Sequence, residues 1–349
     1  MSIKSIIFVL IILFFSSSTF GQRIERPVGA FRNIEPQDFL AKNLTSKYYN
    51  ELYTYQINLD NGVQIIYTFS INDFGSLKDR VTGGKLSVRW IDGKDYVVNK
   101  EYPIDKFINE ADSNKIILHP ERNYWAKGSF DDEHVLNFRT KKDGVAYDMR
   151  IILYDIKKGK IWGDGTYRYG DTQFGISLLI PDAKVKGYIS INDEEIEASG
   201  TAVMDLLYQN NLATEFMRKS YRVKTGDSQN GMFFHFVTVQ NNNRIYPIGY
   251  GVQYTNGLEK IITPSKIESI ETKKTHGVKL DTILEIKPYQ TEKLRIEIND
   301  HYNSYSILDE LGGLKRIFAK KYVGGEVVEM NGTASINGAP AFFNYLAID

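Results

Sequence analysis

The chain of 349 residues contains no cysteine. That excludes disulfide frameworks, thiol catalysis and Cys-based zinc or iron–sulfur sites. Neither charge is in excess, since 43 Lys plus Arg stand against 43 Asp plus Glu. A strongly basic nucleic-acid binder and an acidic tail are thereby excluded as the main theme. Only five histidines occur, His119, His134, His235, His276 and His301, with no two closely spaced. A His-only metal site would need three distant strands to converge, so no metal site is expected. A Gly-x-Ser-x-Gly elbow, a P-loop and a His-Glu-x-x-His pair are also missing. Val81-Thr82-Gly83-Gly84-Lys85 lacks the spacing of a phosphate loop and reads as a turn. No cofactor is expected. What remains is a chain of 42% hydrophobic residues, long enough for two domains or one large one, stabilised by core burial alone.

The N-terminus has the layout of a secretory signal. Lys4 precedes the apolar run Ile6–Phe15, and the small residues from Ser16 lead to Thr19-Phe20-Gly21. Cleavage is expected before Gln22. The run is short for a ~30 Å hydrocarbon core. No later segment approaches a membrane span, so no integral membrane segment is expected after signal removal. The expected address is secreted or periplasmic, in a bacterial cell.

Most of the chain alternates with the period of two that marks antiparallel strands. Tyr53, Tyr55, Ile57 and Leu59 share one face; Asn61-Gly62 follows; Val63, Ile65, Tyr67, Phe69 and Ile71 return. An Asn-Gly between alternating runs is a hairpin signal, because it tolerates the positive φ of a type I′ turn. The pattern recurs around Asp92-Gly93, Asp143-Gly144, Asn192-Asp193 and Asn256-Gly257. The 23 Tyr and 19 Phe suit pleated, half-buried surfaces. Helix is sparse. A short turn is expected over Pro36–Asn43, a helical face over Pro103–Ala111 (Ile104, Phe107, Ile108), and a helix within 304–321 carrying Ile317 and Phe318 on its apolar side.

Successive hairpins with short loops predict up-and-down meanders, and a barrel removes the edges of such a sheet most completely. Residues 45–205 and 215–349 each have room for about eight to ten strands of ~6 residues. The triplets Gly200-Thr201-Ala202 and Gly332-Thr333-Ala334 hint at a duplication. Chemistry-bearing clusters are few. Asp131-Asp132-Glu133-His134 reads as a solvated loop between strands. In Gly200–Asn210, Ala202, Met204 and Leu206 share the inward face and leave Asp205 pointing outward, toward solvent, an adjoining domain or a cleft.

Trp162–Tyr169, Phe174–Gly187 and Gly200–Asn210 together resemble the tandem lipocalin-like (calycin) group of hydroxyneurosporene synthase-like hydratases, AttH-like proteins and survival-factor-type proteins. The enzyme branch carries Gly-Thr-Gly-Tyr-x-Asp-His-x-Trp-Gly near the end of its first barrel. Gly200, Thr201 and Asp205 match it. Ala202 replaces the second glycine, Val203 the tyrosine, Leu206 the histidine and Tyr208 the tryptophan, and Gln209 falls near a glutamine of the survival-factor branch. The resemblance implies an all-β fold of two consecutive lipocalin-like antiparallel barrels with few short helices. The expected domains are a signal peptide (1–21), a first barrel with an N-terminal extension (22–210) and a second barrel (211–349).

Loss of the histidine beside Asp205 leaves a carboxylate without an evident partner for proton transfer. The leading expectation is therefore a secreted, non-enzymatic binding protein for an apolar small molecule such as a lipid or isoprenoid, held inside a barrel. Tyr208, Gln209 and Trp162 are its expected polar contacts. The alternative is a hydratase or isomerase using Asp205, with a carboxyl pKa raised by burial. A third expectation is an exported structural module without a ligand.

Overall fold

A computed structural model describes residues 23–348 except 74, 76–78, 113–115, 122, 242–243, 276–277, 307, 309–312 and 323. The signal-like segment and the pair His276-Gly277 lie outside the described residues. Two antiparallel sheets account for the chain, of 15 and nine strands among the described residues. The first takes its strands from Ile24–Glu25 to Glu194–Gln209, the second from Met217–Gly226 to Ala339–Ile348. This is the all-β, two-barrel fold.

Each sheet is a meander whose last strand returns to its first. Glu194–Gln209 pairs with Asn50–Leu59, Gln209 opposite Asn50 and Gly200 opposite Leu59. Ala339–Ile348 likewise pairs with Met217–Gly226. The ends of each hydrogen-bonded path fall mid-chain. They are Asp95–Pro103 and Ile108–Ala111 in the first sheet, and Leu258–Ile262 and Pro264–Thr275 in the second. The ladder therefore does not run unbroken round either core. In the first barrel, side chains span the interior instead: the Tyr67 phenol donates to the Asn137 carbonyl at 2.8 Å, and Tyr124 donates to that of Thr68.

Turn chemistry departs from the simplest expectation at two sites, one of them Asp92-Gly93, where only Gly93 has positive φ, at 81°. Asp143-Gly144, Asn192-Asp193 and Asn256-Gly257 have positive φ at both residues, as a type I′ turn requires. In the first hairpin only Gly62 does, at φ 91°. There Gly62 N–H donates to the Leu59 carbonyl and Leu59 N–H to that of Val63. That is a three-residue loop with a glycine bulge.

The helical expectations are corrected in two places. Pro103–Ala111 is a single 3-10 turn, Ile104–Lys106, followed by strand Ile108–Ala111. A run this short cannot hold a helix without tertiary support, and here the support is pairing with Ile116–Glu121. A helix does occupy Gly313–Tyr322, but Ile317 and Phe318 are 65% and 70% exposed rather than core-facing.

Buried aromatic side chains pack inside both barrels among the described residues. Tyr53, Tyr55, Tyr67, Phe69, Tyr124 and Phe138 are buried together in the first, with Tyr67 and Phe69 rings 4.7 Å apart and edge-on. Phe234, Phe236, Phe343 and Tyr345 do the same in the second. These aromatic side chains occupy the interiors expected to hold the ligand. The Gly-Thr-Ala triplets are not structural equivalents either. Gly200 stands on the last strand of its meander, Gly332 on the penultimate one.

Candidate functional site

The two barrels meet through the outer faces of their strands. On Glu194–Gln209, Ala202, Met204 and Leu206 enter the first core. Val203 and Leu207 turn outward into a separate apolar cluster with Phe233, Val237 and Tyr250 of the second barrel. Period-two alternation puts Asp205 on that outward face. On Met217–Gly226, Tyr221 and Val223 point into the second core, which sends Ser220, Arg222 and Lys224 toward the first barrel. His235, between the inward Phe234 and Phe236, also faces the interface.

These residues form one buried network. Arg222 Nε donates to both oxygens of Asp205, at 3.0 and 2.8 Å. His235 Nδ1 stands 3.1 Å from Asp205 Oδ1. Burial alone would push the Asp205 carboxyl up. The positive charge of Arg222, joined by the hydrogen bonds from His235 and Arg222, outweighs it and holds the carboxyl below its ordinary value. Burial, helped by Arg222, pushes His235 down to about 4. His235 is thus neutral at pH 7. An ionised carboxylate only accepts, so His235 Nδ1–H donates to Asp205 and Nε2 accepts from the Ser220 hydroxyl at 2.8 Å. The order Ser–His–Asp matches that of nucleophilic enzymes, but Ser220 is 1% exposed and does not line the cleft described next. The array ties two barrels together.

Arg222 connects this network to open space. Its Nη1 donates to Asn344 Oδ1 at 3.0 Å. Asn344 Nδ2 in turn donates to Glu329 Oε1 at 2.9 Å and to Asn331 Oδ1 at 2.8 Å. Glu329 pairs with Lys85 of the first barrel. Burial would raise Glu329, but Lys85 and Asn344 bring it below its ordinary value. Arg222, Lys85 and Glu329 all border a cleft between the barrels with a volume of about 260 Å³. Leu52 and Leu207 of the first barrel face Met217, Leu346 and Ile348 of the second across it.

The expected site residues scatter. Gln209 lines the cleft, its Nε2 donating to the Asn211 carbonyl at 3.0 Å. Asp205 sits behind Arg222 rather than on the cleft wall, and its pKa is lowered, not raised: a buried cation outweighs desolvation. Tyr208 faces away from the cleft, its hydroxyl 2.7 Å from Thr166 Oγ1. Trp162 lies under the N-terminal extension, stacked on Phe31 at 5.0 Å and donating to the Gly29 carbonyl. In the acidic cluster, Glu133 pairs with Lys186, while His134 is wholly buried against Tyr55, 2.7 Å from its hydroxyl.

Sequence reasoning missed Arg222, His235, Lys85 and Glu329. One signal was present: Ser220, Arg222 and Lys224 alternate with Tyr221 and Val223, a polar face on a strand with no solvent to meet.

No protein-family model matches the chain, and no curated protein matches it either. Solved structures do. A Nitrosomonas europaea protein provisionally named AttH superposes with a TM-score of 0.63 at 15% identity, covering 93% of this chain and 99% of that one. Kievitone hydratase from Nectria haematococca gives 0.51 at 10% identity, covering 95% and 98%. The chain thus has the tandem lipocalin-like fold of the AttH-like group over nearly its whole length.

Proposed function

We propose that the protein is an exported, non-enzymatic binding protein for an apolar small molecule, and that the molecule sits in the cleft between the barrels. One observation carries the reading. The open apolar space lies at the interface, walled by Leu52, Leu207, Met217, Leu346 and Ile348, while both barrel interiors are packed. Burial of apolar ligand surface there supplies affinity at roughly 25 cal/mol per Å². The signal-like N-terminus supports export. Its test is N-terminal sequencing of the protein recovered outside the cytoplasm, where a start at Gln22 is expected and an intact Met1 counts against it.

The cleft reading is tested by titrating the apolar fluorophore N-phenyl-1-naphthylamine into the wild type and Leu207→Trp. The enlarged side chain fills the cleft, so saturable binding in the wild type and its loss in the variant are expected. Equal binding by both proteins refutes the cleft as the site.

A hydratase or isomerase reading draws on one specific observation, that His235 supplies a histidine beside Asp205 from another strand. Against it, Asp205 is ionised and screened from the cleft by Arg222. Preserved alkene hydration in Asp205→Asn, should the wild type show any, would exclude Asp205 as its acid or base.

A further inference from the structure

We infer that the ligand of this cleft carries an uncharged carbonyl oxygen, as in a ketone, ester or amide, which accepts a hydrogen bond from Arg222 Nη2. The inference rests on the cleft being the binding site. Its starting point is an inventory of donors. The Arg222 guanidinium has Nε committed to Asp205 and Nη1 to Asn344. Nη2 has no partner among the described residues, although Arg222 is only 2% exposed and borders the cleft. A buried donor on a charged group is costly to leave unpaired, and native proteins rarely do so without a reason.

The neighbours cannot turn to satisfy it. Asn344 Nδ2 is held by two acceptors, Glu329 and Asn331, which fixes Asn344 Oδ1 toward Nη1. Asp205 takes Nε on both oxygens and His235 on one. The guanidinium is clamped through Nε and Nη1, and Nη2 is left unpaired on a side chain that borders the cleft.

Charge selects the kind of acceptor. Arg222 and Lys85 are balanced by Asp205 and Glu329, and His235 is neutral. A carboxylate ligand would add an unmatched anion among Leu52, Leu207 and Met217, at a desolvation cost that one hydrogen bond does not offset. A neutral carbonyl accepts the same N–H without that cost. The apolar walls then hold the rest of the molecule, and Arg222 sets its orientation.

The test compares 2-acetylnaphthalene with 2-isopropenylnaphthalene, in which a methylene group replaces the carbonyl oxygen, by calorimetric titration. The ketone is expected to bind wild-type protein about tenfold to hundredfold more tightly, the range for a hydrogen bond to a charged group. Its carbonyl stretch should move to lower frequency on binding. 2-Naphthoate should bind more weakly than the ketone. In the double variant Asp205→Asn/Arg222→Leu, which removes the ion pair and every donor on that side chain, the preference for the ketone over the alkene should vanish. Should that variant fail to fold, the wild-type carbonyl stretch decides alone. Equal affinities for ketone and alkene, with both abolished by Leu207→Trp, overturn the carbonyl inference and leave the cleft reading intact. Tighter binding of 2-naphthoate overturns the neutral acceptor. Binding of both naphthalenes unchanged by Leu207→Trp removes the cleft reading itself.

Discussion

Two wholly buried carboxylates stand at different places in this molecule and have opposite electrostatic fates. Glu51 lies at one end of the first barrel, beneath the segment that follows the Pro36–Phe39 turn. Its hydrogen-bond partners are all uncharged, the phenols of Tyr49 and Tyr53 and the Lys42 backbone N–H, and the Lys42 charge adds only the weakest of the pulls on it. Burial dominates and raises Glu51 to about 7. Asp205 is equally buried but faces Arg222, and its carboxyl stays below the ordinary value. Three neutral donors do not replace one cation. The barrel end holds a proton that it can lose near neutrality, whereas the interface holds a permanent ion pair.

The sharpest way to break the contrast is to remove the cation. Arg222→Met leaves Asp205 buried and uncompensated, and a loss of about 3–5 kcal/mol in urea unfolding is expected at pH 7. The double variant Asp205→Asn/Arg222→Gln should lose less, because no lone charge remains; an equal loss would mean that packing, not charge, sets the cost.

Next in size is the proton on Glu51. Its folded pKa lies above the unfolded value of 4.5, so the folded state binds the proton more tightly. The associated stability is full below pH 4.5 and is lost as pH rises toward about 7. The shift corresponds to about 3 kcal/mol. Glu51→Gln should therefore gain on the wild type between pH 5 and pH 8 in chemical denaturation. A difference independent of pH would show that Glu51 does not titrate there. The smallest effect is expected from Tyr49→Phe, which deletes one donor to Glu51 and should cost about 1 kcal/mol at pH 8. With the carboxyl deprived of that donor, the fall in stability should still begin near pH 4.5 but continue to higher pH than in the wild type.

Much of the fold was legible because it is written locally. Alternation from Tyr53 to Ile71 puts each residue on its observed face, and Asp143-Gly144 and Asn192-Asp193 turn as their φ values demand. The interface was not legible. Phe233, Val237, Ile248 and Tyr250 alternate as a core face does, yet they pack outward against the first barrel. Both faces of those strands are apolar, so alternation cannot tell inside from interface. Asp205 was correctly turned outward, but its partners lie 17 and 30 residues away on two other strands. No spacing rule joins such positions. The helical reading of Pro103–Ala111 failed for a related reason: three apolar residues match either period, and a neighbouring strand decided.

The return of each final strand to its first has a consequence for biogenesis. Leu346 and Ile348 stand on the strand that completes the second meander, opposite residues that left the ribosome more than a hundred positions earlier. Pairings so distant in sequence form slowly. Removing Ala339–Ile348 would take away both that side of the cleft and a pairing that holds Met217–Gly226 in its sheet.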